Sequence, residues 1–205
     1  VLERTVRELQ GMQCIDLDDA PEPKKQIACT RSFGHSVTDL PPLVEAVSEF
    51  ASRAAEKLRK QGSLAGQLLV FAHTSPFRPG PRFQRSIVVP LRRPTADTGH
   101  LVAAAALGIR RIYEPGYKMA KAGVMLLGLA PGSVHQVELD LEDEADGDRS
   151  RLMAALDRLN QRYGKGTVHV GSTGGTNKAK DWGMKQERRT PQYTTRWEDV
   201  PIARA

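Results

Sequence analysis

Cysteine is almost missing from this chain: two of 205 residues, Cys14 and Cys29, both near the N-terminus. A disulfide framework needs more, so packing must hold the fold and a reducing, cytoplasmic setting is expected. Long apolar runs are missing as well. No stretch approaches the roughly eighteen consecutive apolar residues of a membrane span, and no apolar secretory core opens the chain. The five histidines, His35, His73, His100, His135 and His169, lack metal-ligand spacing. No serine, histidine and acid form a nucleophile motif. The loop Gly171-Ser-Thr-Gly-Gly-Thr-Asn-Lys178 misses the phosphate-loop pattern, because Thr176-Asn177 stands where Gly-Lys is required. No internal repeat is present. No catalytic residue, metal ligand or cofactor is therefore expected in this chain.

Charge is plentiful and unevenly spread. The net charge is +6. Residues 1–132 carry eighteen Lys or Arg against twelve acids, residues 133–148 carry seven acids and no base, and residues 149–205 carry twelve bases against five acids. Two basic bodies are thus joined by an acidic strap. Neutralising phosphates with lysine and arginine releases condensed counterions, so such surface suits nucleic acid. A length of 205 residues accommodates one domain with a tail, or two small domains. Val1 is no initiator residue, and a fragment or processed product is expected.

The pattern along the chain reads as an α+β fold. Residues 1–11 form an amphipathic helix stopped by Gly11, and residues 11–24 read as a linker. In Lys25–Gly34, Ile27, Cys29 and Phe33 alternate with Gln26, Thr30 and Ser32, the period of a half-buried strand. Asp39 caps a helix with Pro41 in its first turn and Gly62 at its end. Leu43, Val47, Phe50, Ala54 and Leu58 repeat at helical spacing within it. Strands follow at 64–74 and 83–91, with Pro90 pointing to an edge position. A second helix at 98–113 and a fourth strand at 121–129 complete a βαββαβ unit. The expected architecture is a four-stranded, mostly antiparallel sheet with two helices on one face and the other face free for a ligand. Beyond it come a helix at 150–163, with Leu152, Leu156 and Leu159 on one side, and a short strand at 166–170.

Phosphate contacts have candidates. Thr30-Arg31-Ser32-Phe33-Gly34 offers hydroxyls, a guanidinium and a glycine that lets another backbone come close. His73 and Thr74 end the second strand, and Arg82 and Arg85 lie on the third; the groups converge if these strands are neighbours. Arg110 and Arg111 are expected to face solvent. In the basic tail, Trp182, Lys185, Arg188, Arg189, Tyr193, Arg196 and Trp197 could stack on bases or anchor the tail on an apolar surface.

Six phrases, VLERTVREL (1–9), CTRSFG (29–34), ASRAAEKLR (51–59), TSPF (74–77), KAGVML (121–126) and QYTTRWEDV (192–200), carry a resemblance. In this order they resemble the C-terminal part of the UmuC-type translesion DNA polymerases of the Y family. The resemblance implies that residues 1–23 are the end of the thumb and a linker, 24–132 the little finger that binds DNA, 133–148 a strap, and 149–205 a UmuC-type tail. It implies that Thr30 to Gly34 hold template backbone without reading bases. It also implies a clamp-binding peptide after the little finger. Gln136, Leu139 and Leu141 match that peptide loosely, since Glu142 stands where the family has an aromatic. A UmuD′-like subunit and the RecA filament would be further partners. The Mg²⁺-holding carboxylates of such polymerases lie in a palm that would precede Val1, so this chain is expected to be inactive alone. A protein-interaction module and an RNA-binding α+β protein are the alternatives.

Overall fold

The computed structural model describes residues 2–14, 22–133, 149–175, 180–185, 187 and 190–202. The elements run α1 (Leu2–Leu9), β1 (Ile27–Val37), α2 (Leu40–Lys60), β2 (Ser63–Thr74), β3 (Gln84–Thr95), α3 (Thr98–Ile112), β4 (Met119–Pro131) and α4 (Ser150–Tyr163). Two short 3₁₀ turns follow at Gly171–Thr173 and Trp197–Asp199. The α+β expectation holds: four antiparallel strands in the order β1-β4-β2-β3, with α2 and α3 packed on one face.

The helices start and stop where their side chains permit. Asp39 precedes α2 in an extended conformation, but its side chain makes no cap bond, unlike the expectation; proline occupies the first turn, and the chain leaves through Gly62 at φ +70°. Asp97 caps α3 through its own side chain, which accepts from the His100 backbone N–H at 3.1 Å. The inward stripes, Leu43, Val47, Phe50, Ala54 and Leu58 on α2 and Leu101, Val102, Ala105, Ile109 and Ile112 on α3, are buried. They cover Leu68 and Val70 of β2 and Val124 and Leu126 of β4. As Pro90 suggests, β3 lies at the edge and pairs only with β2.

Several boundaries and faces differ from expectation. β3 begins at Gln84, so Arg82 and the buried Phe83 belong to the preceding loop. On α4 the residue that turns inward is Met153, whereas Leu152 and Leu159 are exposed. Docking geometry decides this: the Arg59 guanidinium clasps both oxygens of Asp157 at 2.6 and 2.7 Å while donating to the Ala96 carbonyl and the Thr98 hydroxyl. That clasp turns the Met153–Asp157 side of α4 toward α2 and α3. Residues 166–170 form no strand. The hydroxyl of Thr167 donates back to the carbonyls of Tyr163 and Gly164, and Val168 exchanges two bonds with the Asn160 amide. A helix exit satisfied locally leaves no backbone edge to pair. α1 buries none of its residues.

Candidate nucleic-acid interface

Strand register defines the sheet face turned away from the helices. One row across it is Thr30, Gly123, Phe71 and Ser86; the next is Ser32, Lys121, His73 and Gln84. Farther along, Ala28, Met125, Leu69 and Val88 make the same face apolar. The polar rows lie where β1 and β2 end and β3 and β4 begin. A shallow groove of about 640 Å³ runs there, lined by Leu69, Phe71, His73, Gln84, Arg85 and Ser86.

The nine candidate residues do not behave alike. β1 and β2 are not neighbours, because β4 lies between them; at one strand spacing each, the two stand about 10 Å apart. Lys121 of β4 fills that gap, between Ser32 and His73. Thr30 and Ser32 are exposed on the open face. Arg31 alternates to the helix side, half-buried beside Ala122. Phe33 is buried in the core and presents no side chain to a ligand. At Gly34 another backbone does come close, but it is the chain's own tail: the Gly34 N–H donates to the Gly183 carbonyl at 2.8 Å.

On the second strand, His73 stacks on Phe71 with ring centroids 6.1 Å apart, and its Nδ1 lies 2.9 Å from the Thr74 carbonyl. The Thr74 hydroxyl accepts from the Phe83 N–H at 3.0 Å and so closes the β2–β3 connection. Arg85 sits on the helix side, paired with Glu114 at 2.5 Å and lying over the Phe83 ring. Arg82 donates to the Pro76 carbonyl at 3.5 Å. Among the described residues, the cationic groups of Arg31, Lys118 and Lys121 have no hydrogen-bond or ion-pair partner.

Residue-level reading missed Lys118, Lys121, Phe71 and Arg78. The signal for Lys121 was available. Lys121, Gly123 and Met125 alternate against the buried Ala122, Val124 and Leu126, so a central β4 puts Lys121 on the open face. Arg78 donates to the Ser36 hydroxyl at 2.9 Å and ties the β2–β3 loop to the end of β1. No local pattern announces that bond. Gln136, Leu139 and Leu141, like most of the strap, lie outside the described residues, as do Arg188 and Arg189. Of the other tail residues, Trp182 is buried, so it anchors, while Tyr193 and Trp197 are exposed. Arg110 and Arg111 face solvent as expected. Among the described residues no group of three or more His, Cys, Asp or Glu is placed to hold a metal ion, and no helix is long and apolar enough to cross a membrane.

The C-terminal domain profile of the impB/mucB/samB family matches residues 24–139, more than half of the chain. The chain belongs to this family. Among curated impB/mucB/samB-type relatives, the protein ImpB of Salmonella typhimurium is 42% identical over 205 residues, and SamB from the same organism 43%. The UmuC protein of a Salmonella typhimurium strain is 39% identical over 201 residues. Each alignment covers 98–100% of this chain and 47% of the relative, so the chain spans about half the length of the curated relatives it matches. Residues 150–203 match a second profile, a domain of unknown function named DUF4113. A solved structure described as an insertion ternary complex of Dbh DNA polymerase is similar over 62% of this chain and 34% of that one, with a TM-score of 0.44 and 12% identity.

Proposed function

We propose that this chain is the DNA-binding C-terminal region of a UmuC-like, error-prone translesion DNA polymerase acting in SOS mutagenesis and DNA damage tolerance. It would hold template backbone through the open sheet face. The observation that carries this reading is the polar end of that face, where Thr30, Ser32, Lys121 and His73 stand in adjoining rows and the Lys121 ammonium lacks a partner among the described residues. Hydroxyls and cations of this kind bond phosphate oxygens and carry no base code, as bypass on arbitrary templates requires. The His73–Phe71 stack adds an aromatic surface beside the cations. Nucleotidyl transfer needs clustered carboxylates for two Mg²⁺ ions. The described residues offer no such cluster, and the chemistry would belong to the part of a longer polymerase that lies outside this chain, which spans 47% of its relatives.

The test is binding of a fluorescent primer–template duplex measured from 50 to 200 mM salt. Affinity is expected to fall steeply, with a log–log slope of about −0.9 per phosphate neutralised. Lys121→Ala should weaken binding to all sequences alike and shorten the slope by about one. Equal binding across the salt range would refute the reading.

A second reading is a protein-interaction module for a sliding clamp, a UmuD′-like subunit or RecA. It is favoured by α4, whose exposed Leu152, Leu159 and Tyr163 lie beside exposed Arg151, Arg158 and Arg162. Gln136→Ala with Leu139→Ala separates the two readings. Loss of clamp binding with DNA affinity intact supports tethering through the strap; unchanged clamp binding removes that role from it.

A further inference from the structure

β1 breaks register where the candidate contact run ends. Its ladder to β4 pairs Ser32 with Lys121 and resumes with Val37 and Met119, so β1 advances five residues while β4 advances two. Residues 33–36 bulge out of the ladder, and bulges re-aim neighbouring side chains. A bulge also strips backbone N–H groups of their partners, which must be found elsewhere. For Gly34 the partner is the Gly183 carbonyl, at 2.8 Å. The fit leaves no room for a side chain: a β-carbon at Gly34 would stand 2.5 Å from the Lys185 nitrogen and 2.9 Å from the Gly183 oxygen.

The tail segment that supplies this bond is itself firmly held. The Gly183 N–H donates to the Lys180 carbonyl at 2.7 Å, closing a tight turn. Trp182 within that turn is 1% exposed and meets the Phe50 ring of α2 edge-on, centroids 5.4 Å apart and planes at 82°. The Lys180 ammonium lies 4.8 Å from the Trp182 ring, pairs with Glu49 of α2 and donates to the Thr173 carbonyl at 3.3 Å. From Gly34 the connection continues outward, because Ser36 in the same bulge accepts from Arg78 of the β2–β3 loop. The path runs from tail turn to bulge to basic loop.

We propose that the Lys180–Gly183 turn is a brace that positions the bulge of β1, and through it the Arg78–Arg82 loop, for backbone contact with DNA. This gives the region matched by the domain of unknown function a role within the neighbouring domain. The bracing stands on the contacts above; its effect on DNA rests on the proposed function. Trp182 and Gly183 are positioning residues, since their contacts are to α2 and β1.

The test uses the whole chain and two readouts, amide hydrogen exchange and primer–template affinity, on Trp182→Ala, Trp182→Phe and Gly34→Ala. Trp182→Ala should speed exchange at Gly34 about tenfold or more while Leu68 and Val124 in the central strands keep their protection. DNA affinity should drop several-fold, and Trp182→Phe should recover most of both effects. Gly34→Ala displaces the tail from the opposite side. Combined with Trp182→Ala it should add little, because both changes break one contact. Where Trp182→Ala unfolds the domain, Gly34→Ala alone keeps the proposal testable, since it should lower DNA affinity and speed exchange at Trp182 and Gly183. Unchanged Gly34 exchange in Trp182→Ala overturns the brace. Faster exchange with unchanged affinity overturns the positioning role. Failure of the unaltered chain to bind DNA refutes the proposed function instead, and the exchange result still decides the brace.

Discussion

Single atoms decide who can stand on the open face. A β-carbon at Gly123 would lie 2.5 Å from the Thr30 methyl and 2.8 Å from two atoms of the Phe71 ring, so any side chain there must push one of them aside. The missing side chain lets Phe71 lean across β4 and places it for stacking with His73. Gly123→Ala is expected to cost about 1–3 kcal/mol, the usual range for overpacking, and urea denaturation would measure it. Thr74 makes the opposite case. Its hydroxyl is spent on the Phe83 N–H, so Thr74→Val should lose about 1 kcal/mol of stability with the salt slope of DNA binding unchanged. A shortened slope would return Thr74 to the contact surface. Residue type alone could not separate Thr74 from Thr30; both are hydroxyls on strands, and only the partner across the turn distinguishes them.

At the level of elements, what could be read from the sequence was what is local. Helix periodicity, Asp39 and Pro41 at the start of α2, and the glycine after it mark helix bounds to within a residue or two. The four expected strands of the sheet are likewise present, the first of them legible from its period-2 alternation. Strand order is a long-range property. Nothing between Lys25 and Gly34 says that the neighbour of β1 lies some ninety residues away, so the site was drawn without its central lysine. The α4 region fails differently: Leu152, Leu156 and Leu159 satisfy helical spacing, yet docking follows the Arg59–Asp157 clasp instead. Arg59→Ala is therefore expected to release α4. Removing one partner leaves the half-buried Asp157 unpaired, at a cost of about 1–3 kcal/mol. Exchange protection along Ser150–Tyr163 should fall while the sheet keeps its own. Protection that survives would mean that Met153, bonded through its sulfur to the Thr98 N–H at 3.3 Å, suffices to hold the helix.

For the whole molecule, the question is whether the two profile-matched regions are two folding units or one. Several contacts join them: Arg59 to Asp157, Lys180 to Glu49, Trp182 to Phe50 and Gly183 to Gly34. Contacts buried between two regions couple their unfolding, because releasing one exposes the core of the other. Trp182 sits on that seam, and the chain has only one other tryptophan, Trp197, which is 91% exposed. Fluorescence change on unfolding thus comes chiefly from Trp182, whereas far-UV circular dichroism reports the sheet with α2 and α3. Coincident denaturation curves from the two probes are expected, as in a single cooperative transition. A fluorescence transition at lower denaturant would separate the tail from the sheet. Truncation after Gly175 sharpens the comparison. It empties the space beside Phe50 and strands the Gly34 N–H, and losing a large buried aromatic typically costs about 3–5 kcal/mol. At about 2–4 °C per kcal/mol for a chain of this size, the shortened protein should melt well below the full one. Melting at the same temperature would show that the domain stands without its brace.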